Sequence, residues 1–247
     1  MPTQYLRHLI GTERSQRANR HLALVLAFIA GGTDAGGYLA VRRYTSHMSG
    51  VLSSMADDLA LGDSHLLMAG LGAMVAFLVG AACTAMLVNW GRRRSLRSEY
   101  AFPLLLEAVL LVMFSLVGGS LERPQWFFLS LITLLLCFTM GLQNAIITKI
   151  SHAEIRTTHV TGIVTDIGIE LGKLFYWNRS RRPDGTMVLA DRKKLKLLSS
   201  LIGVFFFGGA LGALGFRYVG FLFFLPLAAL LLVLAGVPTI ADLREAR

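Results

Sequence analysis

The chain has 247 residues, a formal net charge of +9, 54% hydrophobic side chains and only 16% charged ones. A soluble domain carries about 25% charged residues, so lipid is the expected solvent; a disordered chain is excluded, and the pattern argues against an ordinary soluble enzyme. Cys83 and Cys137 lie inside apolar runs with no His or Cys at metal-ligand spacing, which excludes a disulfide scaffold and a structural zinc site.

A basic head over residues 1–21, carrying Arg7, Arg14, Arg17 and Arg20, precedes the first apolar run at 22–41. That run is too long for the core of a secretory signal, holds Asp34 and lacks a small-x-small cleavage site, so it belongs to the mature fold. Further runs at 66–90, 101–121, 126–148, 197–216 and 219–238 are each long enough to cross a hydrocarbon core of about 30 Å at 1.5 Å per residue. Two shorter, more polar segments lie between them. The first, 45–62, carries His47, Ser49, Asp57 and Asp58; the second, 157–175, carries His159, Thr161, Asp166, Glu170 and Lys173. A basic loop over 176–196 follows the second. The predicted fold is all-α: one polytopic membrane helix bundle over 1–247, with six spanning helices plus two short polar helical segments.

Charge decides between six and eight crossings, because cytoplasmic loops are enriched in Lys and Arg. With neither short segment crossing and a cytoplasmic N-terminus, 20 of the 24 Lys and Arg residues fall inside, leaving Arg42, Arg43, Arg123 and Arg217 outside. With both crossing, the split falls to 15 and 9. The expected protein is therefore a multi-pass membrane protein with both termini cytoplasmic.

An internal repeat runs through this pattern. Thr45-Ser-His-Met-Ser-Gly50 matches Thr157-Thr-His-Val-Thr-Gly162, and Phe28-x-x-Gly31-x-x-Asp34-Ala35 matches Phe138-x-x-Gly141-x-x-Asn144-Ala145. Asp58 falls opposite Glu170. Repeat one covers about 22–121 and repeat two about 126–238. Three crossings separate equivalent points, so the repeat is expected to be inverted in topology, an arrangement that places solute sites near the midplane.

The candidate pathway residues are the polar groups on this repeat. A carboxylate at the centre of a span costs about 2.5–3.5 kcal/mol, and Asp34 sits there within Gly31-Gly-Thr33-Asp34-Ala-Gly-Gly37. Two readings fit: a broken helix whose carbonyls and Asp34 line a pocket, or a Gly32-x-x-x-Gly36 packing face with Asp34 bonded to a neighbour. Gln143 and Asn144 stand at the positions equivalent to Thr33 and Asp34. His47 and His159 open the two short segments and suit proton transfer, since imidazole titrates near neutral pH; the Ser and Thr before them could instead cap helices. The short segments also read as amphipathic helices on the membrane surface. The pathway set is thus Thr33, Asp34, His47, Ser49, Gln143, Asn144, His159, Thr161, Asp166 and Glu170, with Glu107, Asp57 and Asp58 secondary. No metal or cofactor is assigned. The span interiors hold acids, amides and histidines but no Lys or Arg, a lining suited to a small polar solute or cation. Gly208-x-x-x-Gly212 serves helix packing or a homodimer face. Basic loops without interleaved aromatics suit anionic lipid headgroups, not nucleic acid.

The Gly-rich Asp34 motif, Ser46-His-Met-Ser-Gly50, Gly141-Leu-Gln-Asn-Ala145 and Thr158-His-Val-Thr-Gly162 together resemble the YoaK-like family of bacterial integral-membrane proteins, a domain of unknown function (1275), over about residues 22–238. Val51 stands where the family's first motif usually continues with Asn. The resemblance implies a multi-span inner-membrane protein with no established activity. The expected function is a secondary transporter or permease, coupled to protons or cations, rather than an enzyme; the alternative is a membrane scaffold or assembly protein whose buried polar groups only join helices.

Overall fold

The computed structural model describes residues 16–94, 96, 98–119, 126–150, 159–176 and 187–245. Most of the basic head, Arg123, Thr157, Thr158 and residues 177–186 of the basic loop lie outside the described residues. The described elements are helical: α1 (Gln16–Val41), α2 (Met48–Leu61), α3 (Ser64–Arg93), α4 (Ala101–Gly119), α5 (Trp126–Ile150), α6 (Val160–Phe175), α7 (Arg192–Val219) and α8 (Phe224–Glu245), with a 3-10 turn at Gly220–Phe223.

Local chemistry sets several of these boundaries. Asp63 accepts the Leu66 N–H at the start of α3, and Asp191 accepts the Lys193 and Lys194 N–H groups at the start of α7. Gly62, at φ 74°, closes α2 in the left-handed conformation that glycine takes without strain. Among the described residues, five stretches are long and apolar enough to cross a membrane: Arg17–Val41, Ser64–Arg93, Ala101–Gly119, Leu129–Ile150 and the 49-residue Arg192–Ile240. The last contains both α7 and α8, separated at Gly220, whose φ of 60° and ψ of −141° break the helix.

Lipid tails are as apolar as Leu, so helices in a bilayer gain little from burying Leu and much from close packing of small residues. Two crossings use that device. A Cβ at Gly31 of α1 would collide with the Phe205 carbonyl of α7, and one at Gly208 of α7 with the Phe28 carbonyl of α1. Likewise a Cβ at Gly80 of α3 would meet the Phe138 carbonyl of α5, and one at Gly141 would meet Phe77 of α3. The Thr84 hydroxyl donates to the Leu142 carbonyl at 2.9 Å across this second crossing.

The contact series fixes helix directions. Gly31, Gly32 and Gly36 meet Phe205, Gly208 and Gly212 in rising order, so α1 and α7 run parallel. The pairs Gly72–Leu134, Gly80–Phe138 and Thr84–Leu142 make α3 and α5 parallel. Gln143 meets Leu26 while Leu136 meets Gly37, so α1 and α5 are antiparallel. Phe114 packs on Phe224, and Phe221 packs against both Phe114 and Gly118, tying α4 to α8. α1 and α5 are the most enclosed of these helices and α3 the least.

Two expectations are corrected here. α1 is helical without interruption from Gly31 to Gly37, so no broken helix exists there. Its glycines instead admit the α7 backbone, which removes the need for a break. The N-cap positions of α2 and α6 are His47 and His159 themselves, and neither makes a side-chain cap bond; the Ser46 hydroxyl before α2 is unpartnered and so does not cap it, while Thr158 lies outside the described residues.

Candidate functional site

The chain reverses direction just beyond α1. Arg42 takes φ 57°, an uncommon left-handed conformation for a residue with a Cβ. This folds Tyr44 back onto Tyr38, ring on ring at 4.4 Å, and the Tyr44 ring meets His47 edge-on at 5.3 Å. His47 is thereby carried back to the level of Asp34, with its Nε2 3.9 Å from Asp34 Oδ2. That separation is too long for a hydrogen bond, yet it is close enough for charge attraction when the imidazole is protonated.

Asp34 is only 4% exposed, and its Oδ1 has no hydrogen-bond partner among the described residues. Ser46 and Thr45 stand beside the carboxylate. The hydroxyls of Thr33, Thr45 and Ser46 are buried and unpartnered as well. A buried polar group without a partner costs about 1–3 kcal/mol, so the Asp34 Oδ1 with the Thr45 and Ser46 hydroxyls near it marks a spot where a polar ligand or water gains most.

That spot opens onto a cavity of about 800 Å³. Asp34, Tyr44 and His47 form one wall, Phe205 and Phe206 of α7 another, and Ser49, Gly50 and Val160 bring in the first turns of α2 and α6. A second cavity of about 540 Å³ shares Tyr44, His47 and Gly50 with the first. Arg42, Arg43 and Asp58 line it, and it reaches Cys137 of α5. His47 and Tyr44 therefore stand between the two spaces.

The remaining sequence candidates separate into three places. Ser49 joins Asp34 and His47 at the first cavity, and Asp58 lines the second, while Asp57 is exposed on α2. Gln143 donates to the Leu26 carbonyl at 3.4 Å, and its Oε1 and the Asn144 Oδ1 are buried without partners; neither residue lines the two cavities. Glu107 is enclosed within α4, with Oε2 unpartnered.

In the second half the acids meet lysines. Asp166 Oδ2 lies 3.2 Å from Lys194 Nζ. Glu170 accepts from Lys173 at 2.8 Å and from the Asp191 N–H at 2.8 Å. The Lys173 bond first, and the Asp191 N–H second, hold the Glu170 carboxyl below its ordinary range. The N–H groups of Lys194 and Lys193 do the same for Asp191. These contacts clip α6 onto the start of α7 instead of facing the cavity. His159 opens α6, and Thr161 one turn-position later is exposed.

Sequence reasoning missed the aromatic wall of Phe205 and Phe206, which the apolar run of α7 hides among equivalent neighbours. It also missed Glu99, which Arg92 grips through two bonds of 2.6 and 3.1 Å. The Tyr100 hydroxyl accepts from Arg92 and donates to the Lys149 carbonyl, tying the ends of α3 and α5 to the start of α4. A lone acid two residues beyond an Arg cluster was the available signal. Among the described residues no group of three or more His, Cys, Asp or Glu is placed to hold a metal ion.

A family model described as "Protein of unknown function (DUF1275)" matches residues 22–237. The chain is also 31% identical over 175 residues to a UPF0700 transmembrane protein of Rhizobium meliloti (strain 1021), covering 70% of each chain. No solved structure matches the chain.

Proposed function

The chain belongs to the DUF1275 family of membrane proteins, and from that premise and the site geometry we propose that it is a small secondary transporter of polar solutes in the bacterial inner membrane. The observation that carries this reading is the buried Asp34, with Oδ1 unpartnered, at the edge of a cavity of about 800 Å³ that opens on the flank of an apolar bundle. An ionisable side chain within a span is costly and usually marks a solute or ion path. Asp34 and His47, 3.9 Å apart, carry the coupling proton or cation.

The architecture we infer has six crossings and an inverted repeat. Because α3 and α7 run antiparallel to α1 and α5 respectively, no net crossing separates the end of the first helix of each pair from the start of the second, and α2 and α6 return to the side from which their segments entered. The glycine-to-carbonyl crossings Gly31–Phe205 and Gly141–Phe77 use equivalent residues of the two halves, which supports the repeat. In this arrangement 20 of 24 Lys and Arg lie on the cytoplasmic side with both termini, where the basic loops meet anionic lipid.

Cysteine accessibility tests the transport reading. In a chain with Cys83 and Cys137 replaced by Ala, single cysteines at positions 34, 47, 49 and 206 should react with a membrane-impermeant thiol reagent from at least one side. If all four stay unreactive from both sides, no aqueous path reaches the cavity and the scaffold reading takes its place. Reporter fusions near residues 95 and 186 should both read cytoplasmic; an external signal at either overturns the six-crossing arrangement.

A further inference from the structure

We propose that the 800 Å³ cavity binds a small zwitterion, its ammonium group at Asp34 and its carboxylate at the first turns of α2 and α6, with an apolar body against Phe205 and Phe206. This rests on the cavity being the solute site.

Two poles of opposite character face this one space. The negative pole is Asp34, 4% exposed with Oδ1 unpartnered, beside the unpartnered hydroxyls of Thr45 and Ser46. The positive pole is a pair of helix N-termini. The first intrahelical bonds of α2 and α6 are Val51 N–H to His47 and Ile163 N–H to His159, so the N–H groups of the preceding residues lie ahead of the ladder. Neither N-cap histidine covers them with a side-chain bond. Each helix end carries roughly half a positive charge, and half-helices that end at mid-depth commonly offer that charge to an anionic solute group. Ser49 and Gly50 of α2 and Val160 of α6 all line the cavity, so both ends meet the same solute.

Charge matching then selects the ligand class. A bare inorganic cation satisfies Asp34 but leaves the helix ends unmatched and most of the space empty. A plain carboxylate suits the helix ends and is repelled by Asp34. A neutral sugar would leave both charged poles unmatched. A zwitterion with an apolar side group answers both poles and the wall, and the volume falls in the range of small-molecule sites, about 300–1,000 Å³.

The test uses the full chain purified in detergent and three matched probes: L-phenylalanine, phenethylamine, which lacks the carboxylate, and 3-phenylpropionate, which lacks the amine. Calorimetry or ligand-dependent thermal shift should show L-phenylalanine binding at least tenfold more tightly than either analogue. Asp34→Asn should weaken L-phenylalanine and phenethylamine by tenfold or more while leaving 3-phenylpropionate unchanged or tighter. Equal binding of phenethylamine and L-phenylalanine would overturn the proposal in favour of an organic-cation site. Tightest binding of 3-phenylpropionate would overturn it in favour of an anion site. The comparison of probes on the unmutated chain decides the matter even if Asp34→Asn does not fold. If none of the three binds while cysteines at 47 and 206 still react from water, the zwitterion assignment fails and the transport reading stands. If those cysteines are also unreactive, both fall.

Discussion

The segments that carry α2 and α6 begin with nearly the same six residues, yet the acids near them are treated in opposite ways. Beside α2, Asp34 is buried with an open oxygen, and the cationic partner nearest it is His47, at 3.9 Å. On α6, Glu170 and Asp166 are matched by Lys173 and Lys194, and the Asp191 N–H closes the cluster. An acid at a membrane boundary can be neutralised by long Lys side chains that reach water. One placed a turn or more inside a span, facing a neighbouring backbone, has no such partner within reach. Two helices that open on nearly the same motif therefore have different surroundings: an open carboxylate stands beside α2, and α6 is clipped to α7.

The largest expected effect tests whether the two halves share a frame. Gly31→Val and Gly141→Val each push a side chain into a backbone carbonyl, so each should cost about 3 kcal/mol or more and leave little folded protein by size-exclusion chromatography. Gly209→Ala is the control: its added Cβ meets its nearest atom at 3.5 Å, ordinary contact, and should leave the melting temperature nearly unchanged. Tolerance of valine at Gly141 but not Gly31 would break the equivalence of the halves.

Next comes the contrast between the acids. Asp34→Asn should abolish solute uptake into proteoliposomes by tenfold or more while the protein melts near the parent temperature, because an amide removes a buried charge. Glu170→Gln should leave uptake within about twofold and instead loosen α6, seen as faster hydrogen exchange over Val160–Phe175. The reverse pattern would show that the second half carries the solute.

A smaller effect is set by pH. The Glu170 carboxyl is held below its ordinary range in the folded protein, so its contribution is fully present above its unfolded pKa and is lost as pH falls through the lower folded value. Hydrogen exchange over α6 should accelerate in that acid window. Lys173→Met removes the chief cause of the shift and should move the onset to higher pH. An unchanged onset would mean that Lys173 does not set the clip. At the junction of α3 and α4, Glu99→Gln should cost about 1–3 kcal/mol by weakening the Arg92 pair, read from the thermal midpoint. The smallest change is Lys194→Ala: both partners of the Asp166 pair are nearly half exposed, so the loss should stay within about 1 kcal/mol.

Much of the helix plan was legible from composition alone, because a bilayer demands long apolar runs and leaves charges at their ends. The expected runs at 22–41, 66–90 and 101–121 sit within or close to α1, α3 and α4, and the two short polar segments appear as α2 and α6. Asp34, His47 and Ser49 were also legible as candidates, the first because lipid disfavours a carboxylate within a span, the others because they stand on the repeated motif. Gln143, Asn144 and Glu107 carried the same signal, but they lie apart from the cavities. Single-residue cost says that a polar group needs a partner and says nothing about where the partner is.

The sequence by itself determined the membrane class, the helix runs, the paired motifs and the polar residues within them, because these follow from the cost of transferring each residue type into lipid. Only the tertiary structure decided that the glycines of α1 admit α7 without breaking the helix, and that Asp34 stays open while Glu170 is paired. It also decided that Phe205 and Phe206, two residues among many alike in an apolar run, become a wall. Those outcomes depend on which backbone approaches which, and close approach between segments about 170 residues apart in the chain is a property of the packed bundle alone.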